Sequence, residues 1–404
     1  MPMPCMGPTR RKPLRVRSAT SLLLTKFARE AERTVTAAAS PINLFGLDRA
    51  GVAGLFDTIG EHRYRTAQVM KWVYHRGIRE FAAMTDLSKT LRERLTDAAT
   101  LELPEVLSER TSVDGTRKWV LKVANGNAVE AVLIPDRGRN TLCVSTQVGC
   151  LLDCSFCSTG KQGFNGNLSA AEIVGQVFLV AAALRAQGDE RGVTNVVMMG
   201  MGEPLLNFDN AVRASAILVD DFAFGISKRR VTISTAGVVP AIYELAKSSD
   251  VSLAVSLHAP DDALRDQLVP INRKYPIAEL MAACQHYLSV LGEHRSITIE
   301  YTLLRGVNDS QAQAHALARL LRDLRCKINL IPFNPFPASG YARPDDDAVR
   351  AFQTILLNAG YAAMLRTTRG EDIAAACGQL VGEVADRTRR QARYLARVKA
   401  LEVA

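Results

Sequence analysis

Hydrophobic positions change rhythm twice along the chain. Between Leu44 and about Glu109 they recur at helical spacing: Tyr64, Gln68, Trp72 and His75 follow one another along a helix, and Thr85–Leu95 reads as a capped helix with Leu91 and Leu95 turned inward. Two short alternating runs, Lys118–Val123 and Ala128–Pro135, then read as strands around an Asn125-Gly126-Asn127 turn. After Asn140, strand-like runs (Leu142–Thr146, Asn195–Met199, Val231–Thr235, Leu253–His258, Ile297–Leu304, Ile328–Pro332) alternate with helical segments. Ser169-Ala-Ala-Glu172 is a capping box that opens one of those helices. Six β-then-α units predict a parallel sheet, either doubly wound or a partial barrel, and are too few for a complete eightfold barrel. Ligands of such sheets sit at the carboxyl ends of the strands, where most of the motifs below fall. No repeat of fixed period is present.

Composition narrows the class. With 404 residues, 48% of them apolar and 23% charged, the chain fits one large domain plus an appendage and needs no disulfide scaffold. The densest apolar run, Phe178 to Leu184, falls far short of the ~18 residues of a membrane span. The basic opening segment is followed only by Ser21–Leu24, which is no signal-peptide core, so the expected location is the cytoplasm. The net charge is +9, and residues 1–40 supply most of it: eight Lys/Arg against Glu30 and Glu32 give +6. A disordered basic arm beside a nearly neutral body suits a polyanion such as RNA. On charge alone, a solubilising tail or a misassigned start codon weighs equally. Arg387–Lys399 is basic too, and such a face is usually just solvated.

Candidate chemistry centres on cysteine. Of eight cysteines, Cys143, Cys150, Cys154 and Cys157 fall within fifteen residues, whereas Cys5, Cys284, Cys326 and Cys377 are scattered. Clustering of this kind in a reducing compartment points to metal or catalytic chemistry. Cys150, Cys154 and Cys157 form a Cys-x3-Cys-x2-Cys loop after a strand, which can hold three corners of a cubane iron–sulfur cluster and leave the fourth iron open to substrate. A zinc site made of these three and a distant ligand is the alternative, although no second knuckle exists.

The Cys-x3-Cys-x-Phe156-Cys pattern resembles the radical S-adenosylmethionine (SAM) superfamily. Met201-Gly202-Glu203-Pro204, one strand downstream, is similar to that superfamily's SAM-binding Gly-Gly-Glu element. Leu142–Cys150, Cys157–Asn165, Gly200–Asn207, Val231–Pro240, Ala254–His258, Pro332–Pro335 and Arg369–Leu380 resemble the RNA adenine-C2 methyltransferase family within it. The resemblance covers roughly residues 42–385. Two departures stand out: residues 1–41 match nothing in the family, and Gly166 stands where the family commonly has an arginine, a loss that would weaken a phosphate or substrate contact.

The resemblance implies a partial (βα)6 TIM-type α/β barrel with an N-terminal helical accessory domain. Its expected parts are a basic disordered arm (1–41), a helical RNA-docking module (42–109), a β-strand extension (110–135), a radical SAM core (136–370), and a catalytic-cysteine loop with a C-terminal helix (371–404). It also implies one [4Fe-4S] cluster held by Cys150, Cys154 and Cys157, two SAM molecules per turnover, and a reducing donor such as a flavodoxin-type protein. The expected substrates are 23S rRNA and tRNA, and the expected state is a monomer away from membranes.

Adenine carbon 2 is electron-poor and carries no acidic proton, so a carbon radical must attack it. By resemblance, Cys377 takes a methyl group from SAM, becomes a methylene radical and adds to carbon 2. Glu130 accepts the carbon-2 proton, and Cys143 resolves the adduct through a transient disulfide with Cys377. A helix starting at Cys377 would favour its thiolate. Gly202, Glu203, Ser234, Ser256, Leu257, His258 and Asn334 are the expected SAM contacts. Read without the family, Cys143 is a small buried strand residue, Cys377 a helix-start cysteine, Glu130 the exposed side of an edge strand, and His258 a satisfied core histidine. Cys284 and Cys326 read as core residues and Cys5 as incidental. The rival functions are methylation at adenine carbon 8 and a non-catalytic RNA-binding or ribosome-assembly protein with a structural metal.

Overall fold

Alternation of strand and helix beyond Asn140 builds one large sheet in the computed structural model, which describes residues 41–337, 339–382 and 389–402, with side chains of the last helix described as far as Ala396. The basic arm, Cys5 and Arg387 lie outside the described residues. Ten strands follow one another across the sheet in chain order: β1 Glu105–Thr111, β2 Arg117–Lys122, β3 Ala128–Asp136, β4 Arg139–Cys143, β5 Asn195–Met198, β6 Val231–Thr235, β7 Ser252–Ser256, β8 Ile297–Leu303, β9 Cys326–Pro332 and β10 Ala362–Leu365. From β4 to β10 every neighbour is parallel, whereas β1 to β4 are antiparallel. The six predicted units therefore exist, and β10 adds a seventh parallel strand.

The unreversed order decides between the two windings. A doubly wound sheet reverses its strand order at a switch point. Here right-handed crossovers between successive neighbours keep all the helices on one side, the winding of a partial barrel. Leu142, Val196, Ile233, Leu253, Ile299 and Ile328 are fully buried on the helix-covered side. The register puts Cys143, Thr232, Ser234, Ser256, Glu300 and Asn329 together on the other.

The helices of the N-terminal module are Arg49–Thr58, Arg65–Tyr74 and Lys89–Ala98. In the second, Val69, Met70, Trp72, Val73 and Tyr74 face inward, while Tyr64 and His75 are exposed. The expected stripe is thus only partly the buried one. In the third, Ser88 is the cap, accepting the Leu91 N–H, and Leu91 and Leu95 are buried. Phe45 packs edge-on against Phe178 of the long helix Ala170–Ala186, with ring centroids 4.8 Å apart, and so ties the module to the sheet's helical cover. The expected capping box of Ser169 and Glu172 opens that helix. The helical pattern, expected to run to about Glu109, stops at Ala98. Pro104 lacks the N–H a helix needs, and Glu105–Thr111 becomes the sheet's edge strand. Among the described residues no helix is long and apolar enough to cross a membrane.

Candidate active site

The chain after β4 forms a short antiparallel ladder, Gln147–Gly149 against Phe164–Asn167, and the cysteine loop lies between its two arms. Cys150 N–H donates to Gly163 O (3.1 Å), Ser155 N–H to Leu268 O (3.0 Å) and the Tyr341 hydroxyl to Ser155 Oγ (2.8 Å). So fastened, Cys150, Cys154 and Cys157 line a single cavity of about 160 Å³ at the carboxyl ends of the parallel strands. Gly166 sits in the second arm at φ +148°, and a Cβ there would lie 3.1 Å from Asn125 Nδ2. The local backbone suits glycine and would strain an arginine. The basic tail is not wholly solvated either: Arg390 donates to Gly160 O at 3.0 Å.

The same cavity gathers Gly202, Glu203, Ser234, Ser256, His258, Asn334 and Cys377. Gly202 adopts φ +99° with its Cα against Gln147, so any side chain there would collide. Glu203 Oε1 accepts the Leu205 N–H (3.1 Å) and Oε2 the Ala236 N–H (2.8 Å), which ties the ends of β5 and β6 together. Burial pushes its pKa up to about 7. His258 holds a left-handed backbone at φ +58°. Its Nδ1 accepts the Thr302 N–H (2.9 Å), which assigns the proton of the neutral ring to Nε2. Burial pulls its pKa down to about 3, so the ring is a neutral donor at the cavity wall. His258 is therefore both a satisfied histidine and a lining residue. Leu257 lies wholly in the core and does not line the cavity.

The two remaining cysteines of interest meet from opposite ends of the chain. Cys143 ends β4, and burial, then the neighbouring Cys377 thiol, pushes its pKa up to about 12. Cys377 is exposed in a turn; no helix starts there. The segment is pinned instead by Ser158 N–H to Gly378 O (2.8 Å), Thr159 Oγ1 to Leu380 O (2.7 Å) and Asn334 Nδ2 to Cys377 O (3.4 Å). All seven described cysteines are free thiols. Glu130 is not on an edge. It lies buried in β3 between β2 and β4, its Oε2 accepting the Val381 N–H (3.2 Å) and its Oε1 3.2 Å from Lys118 Nζ. Neither Glu130 nor Cys143 lines the cavity itself. Cys284 is fully buried and Cys326 half-buried.

Three cations escaped the sequence reading. Arg366, one residue past β10, lines the cavity, and its charge is favoured by Cys377, Glu300 and Cys143 around it. Arg265, wholly buried in the short helix Asp262–Leu268, donates to Ala236 O (2.6 Å), Ser256 O (3.1 Å), Leu257 O (3.1 Å) and Asn272 Oδ1 (2.8 Å). Lys118 pairs with Glu130.

The residues present fit an iron–sulfur cluster. Burial first, then the neighbouring thiols, pushes Cys150 and Cys154 far above the usual thiol range. Thiols so confined ionise only against added positive charge, which iron supplies. Among the described residues no three His, Cys, Asp or Glu side chains converge closely enough to hold a single metal ion. A cubane does not require that, because each thiolate takes a different iron, whereas a closed zinc site does.

Comparison with known proteins agrees with this chemistry. Residues 42–101 match the family model of the ribosomal RNA large subunit methyltransferase N-terminal domain, and residues 144–318 match that of the radical SAM superfamily. The dual-specificity RNA methyltransferase RlmN of Marinobacter nauticus is 58% identical over 363 residues, 90% of this chain and 98% of the relative. That of Pseudomonas putida is 59% identical over 365 residues, 90% and 96% of the two chains. The crystal structure of a radical SAM methyltransferase from Sphaerobacter thermophilus superposes with a TM-score of 0.78 at 45% identity, covering 84% of this chain and 99% of that one. With three cysteines lining one cavity and these relatives over nine-tenths of its length, the chain belongs to the dual-specificity RNA methyltransferase RlmN family of radical SAM enzymes.

Proposed function

We propose that this chain methylates carbon 2 of adenine in 23S rRNA and in tRNA, working in the cytoplasm as a monomer with a flavodoxin-type electron donor. One observation carries the reading: Cys377, more than 200 residues downstream of the three-cysteine loop, lines the same cavity. A lone RNA-binding module has no use for a fourth thiol there. Bound [4Fe-4S] cluster and SAM would supply a deoxyadenosyl radical. Cys150, Cys154 and Cys157 would hold the cluster, and Gly202, Glu203, Ser234, Ser256, His258 and Asn334 the SAM; Leu257, off the cavity, would serve only by fixing Ser256 and His258 on either side of it. Glu203 keeps free lone pairs for the SAM ammonium, and His258 Nε2–H is a donor for its polar groups.

Cys377 would accept a methyl group, lose one hydrogen atom from it and bond to carbon 2, linking protein to RNA. Glu130 would take the carbon-2 proton. Once the adduct has handed its unpaired electron back to the redox chain, the Cys143 thiolate would attack the Cys377 sulfur, closing the transient disulfide as the sulfur–carbon bond breaks. The released carbon would keep the electron pair and take up a proton, becoming the methyl group of the base. Proximity of the two thiols and the Arg366 cation, which favours the thiolate of Cys143 against its burial, support this pairing. Mass analysis of nucleosides from rRNA and tRNA of a deletion strain tests the reading. Loss of 2-methyladenosine is expected. Loss of 8-methyladenosine, or no change, would overturn it.

A further inference from the structure

Lys118 has no place in the reaction as described, and in sequence it is one more residue of an alternating strand. The register gives it a position. In the β2–β3 ladder Val120 lies opposite Glu130 and Lys118 opposite Val132, so Lys118 and Glu130 are diagonal neighbours on one face. Val132 in turn lies opposite Cys143, which puts the resolving thiol on that face too. Lys118 is only 6% exposed and Glu130 3%. Lysine is rarely so buried without a partner, and this one has two: Nζ lies 3.2 Å from Glu130 Oε1 and donates to Ala374 O at 3.1 Å. Glu130 Oε2 accepts the Val381 N–H. One ion pair therefore grips the chain on both sides of Cys377, at Ala374 before it and at Val381 after it.

We propose that Lys118 is a positioning residue that locks the proton acceptor and the methyl-carrying segment into one register. The proposal rests on the reading of Glu130 as the acceptor of the carbon-2 proton. Through Lys118 the carboxylate is held in fixed relation to the Cys377 segment, so one adenine meets both groups together. Removing one member of a buried pair leaves the other uncompensated. The Lys118 cation thus acts on the step after radical addition, when Glu130 works. It does not act on the earlier methylation of Cys377, which needs neither Glu130 nor its partner.

Lys118→Met, Lys118→Gln, Lys118→Arg and Glu130→Gln in the full chain test this, with iron content matched to wild type. Hydrogen exchange at the Val381 amide, read without SAM or RNA, should quicken about ten- to hundredfold in Lys118→Met and Glu130→Gln and only about threefold in Lys118→Arg. With SAM, reductant and RNA, Lys118→Met should still methylate Cys377, as mass spectrometry reads, but stall with RNA attached on a denaturing gel. Lys118→Arg should restore release. Should Lys118→Met fail to fold, Lys118→Gln, which keeps a donor for Ala374 O but no charge, should stall likewise. A structural role alone would depress Cys377 methylation and adduct formation together, and that result overturns the proposal. If Glu130→Gln stalls while both uncharged Lys118 variants release product normally, the proposal alone fails. If Glu130→Gln itself turns over like wild type, the proton-acceptor reading fails and takes the proposal with it.

Discussion

Replacing Arg265 with methionine should damage the cavity from behind. The guanidinium is fully buried and makes four hydrogen bonds, of 2.6 to 3.1 Å, that join the end of β6 at Ala236 to the end of β7 at Ser256 and Leu257. Burial pulls its pKa down to about 10, so it stays charged at neutral pH. Hydrogen bonds to a charged group contribute ~1.5–3 kcal/mol each. The loss is less than four times that, because Leu257 O also accepts the Ala259 N–H and methionine refills part of the space. About 4 kcal/mol is a reasonable net figure, a large share of the ~5–15 kcal/mol that holds a folded chain together. Urea unfolding of the cofactor-free protein should register that loss. SAM affinity of folded, iron-loaded Arg265→Met should fall at least about tenfold, because Ser256 and His258 hang on the backbone the arginine fixes. Arg265→Lys, too short a fork to reach all four acceptors, should fall between. An unfolding free energy within about 1 kcal/mol of wild type, or undiminished SAM affinity at equal iron content, would refute the reasoning.

The other expectations are briefer. His258 is held uncharged in the fold at a pKa of about 3 but takes up a proton near 6.5 when unfolded; its depressed value makes stability fall as pH drops below about 6.5, by up to ~1.4 kcal/mol per unit, and His258→Asn should lose that slope in denaturation curves taken from pH 7 to 4.5. Cys150→Ala, Cys154→Ala and Cys157→Ala should each abolish bound iron, while Cys284→Ala, in the apolar helix Ile277–Leu291, should keep it; a full cubane in Cys154→Ala would sink the ligand assignment. Cys377→Ala should never link to RNA, whereas Cys143→Ala should accumulate an RNA-linked species that RNase collapses on a denaturing gel; normal turnover by Cys143→Ala, or cross-linking by Cys377→Ala, would refute these roles. Deleting residues 1–40 removes a net charge of +6, so RNA binding should weaken and its salt dependence flatten, with turnover at saturating RNA preserved.

What could be read from the sequence was the chemistry packed into contiguous motifs. A cluster loop must bring three thiols together over a few residues, so Cys150, Cys154 and Cys157 announce themselves, and so does Gly202-Glu203, a contiguous turn that the structure places on the same cavity wall. The helical module was legible in kind, but spacing alone did not pick its buried stripe, because Gln68 and His75 fit a helical period as well as Val69 and Val73 do. Lys118, Arg265 and Arg366 were not legible. An arginine in a short helix or a lysine in an alternating strand reads as solvated, and what each one does depends on partners that only the register supplies, such as Glu130 or the carbonyls of Ala236 and Ser256.

One signal for them was nevertheless present. Parallel strands covered on both faces read as continuous apolar runs. Here β8 alternates instead: Thr298, Glu300 and Thr302 share a face opposite Ile297, Ile299, Tyr301 and Leu303, yet every residue of the strand is buried. Polar alternation along a strand with no exposed side means that the polar face lines an enclosed cavity. Glu300 makes the point most sharply, since Asn329 Nδ2 satisfies Oε1 at 2.7 Å while the buried Oε2 has no hydrogen-bond partner among the described residues. A buried acceptor left open costs ~1–3 kcal/mol, so a strand that retains one has been shaped by what enters the cavity. Applied to β6 and β7, the same alternation singles out Ser234 and Ser256, and across the β8–β10 register it leads to Arg366. The wall of the site was thus written in the period of the strands, and its depth in how many of the polar positions lack exposed neighbours.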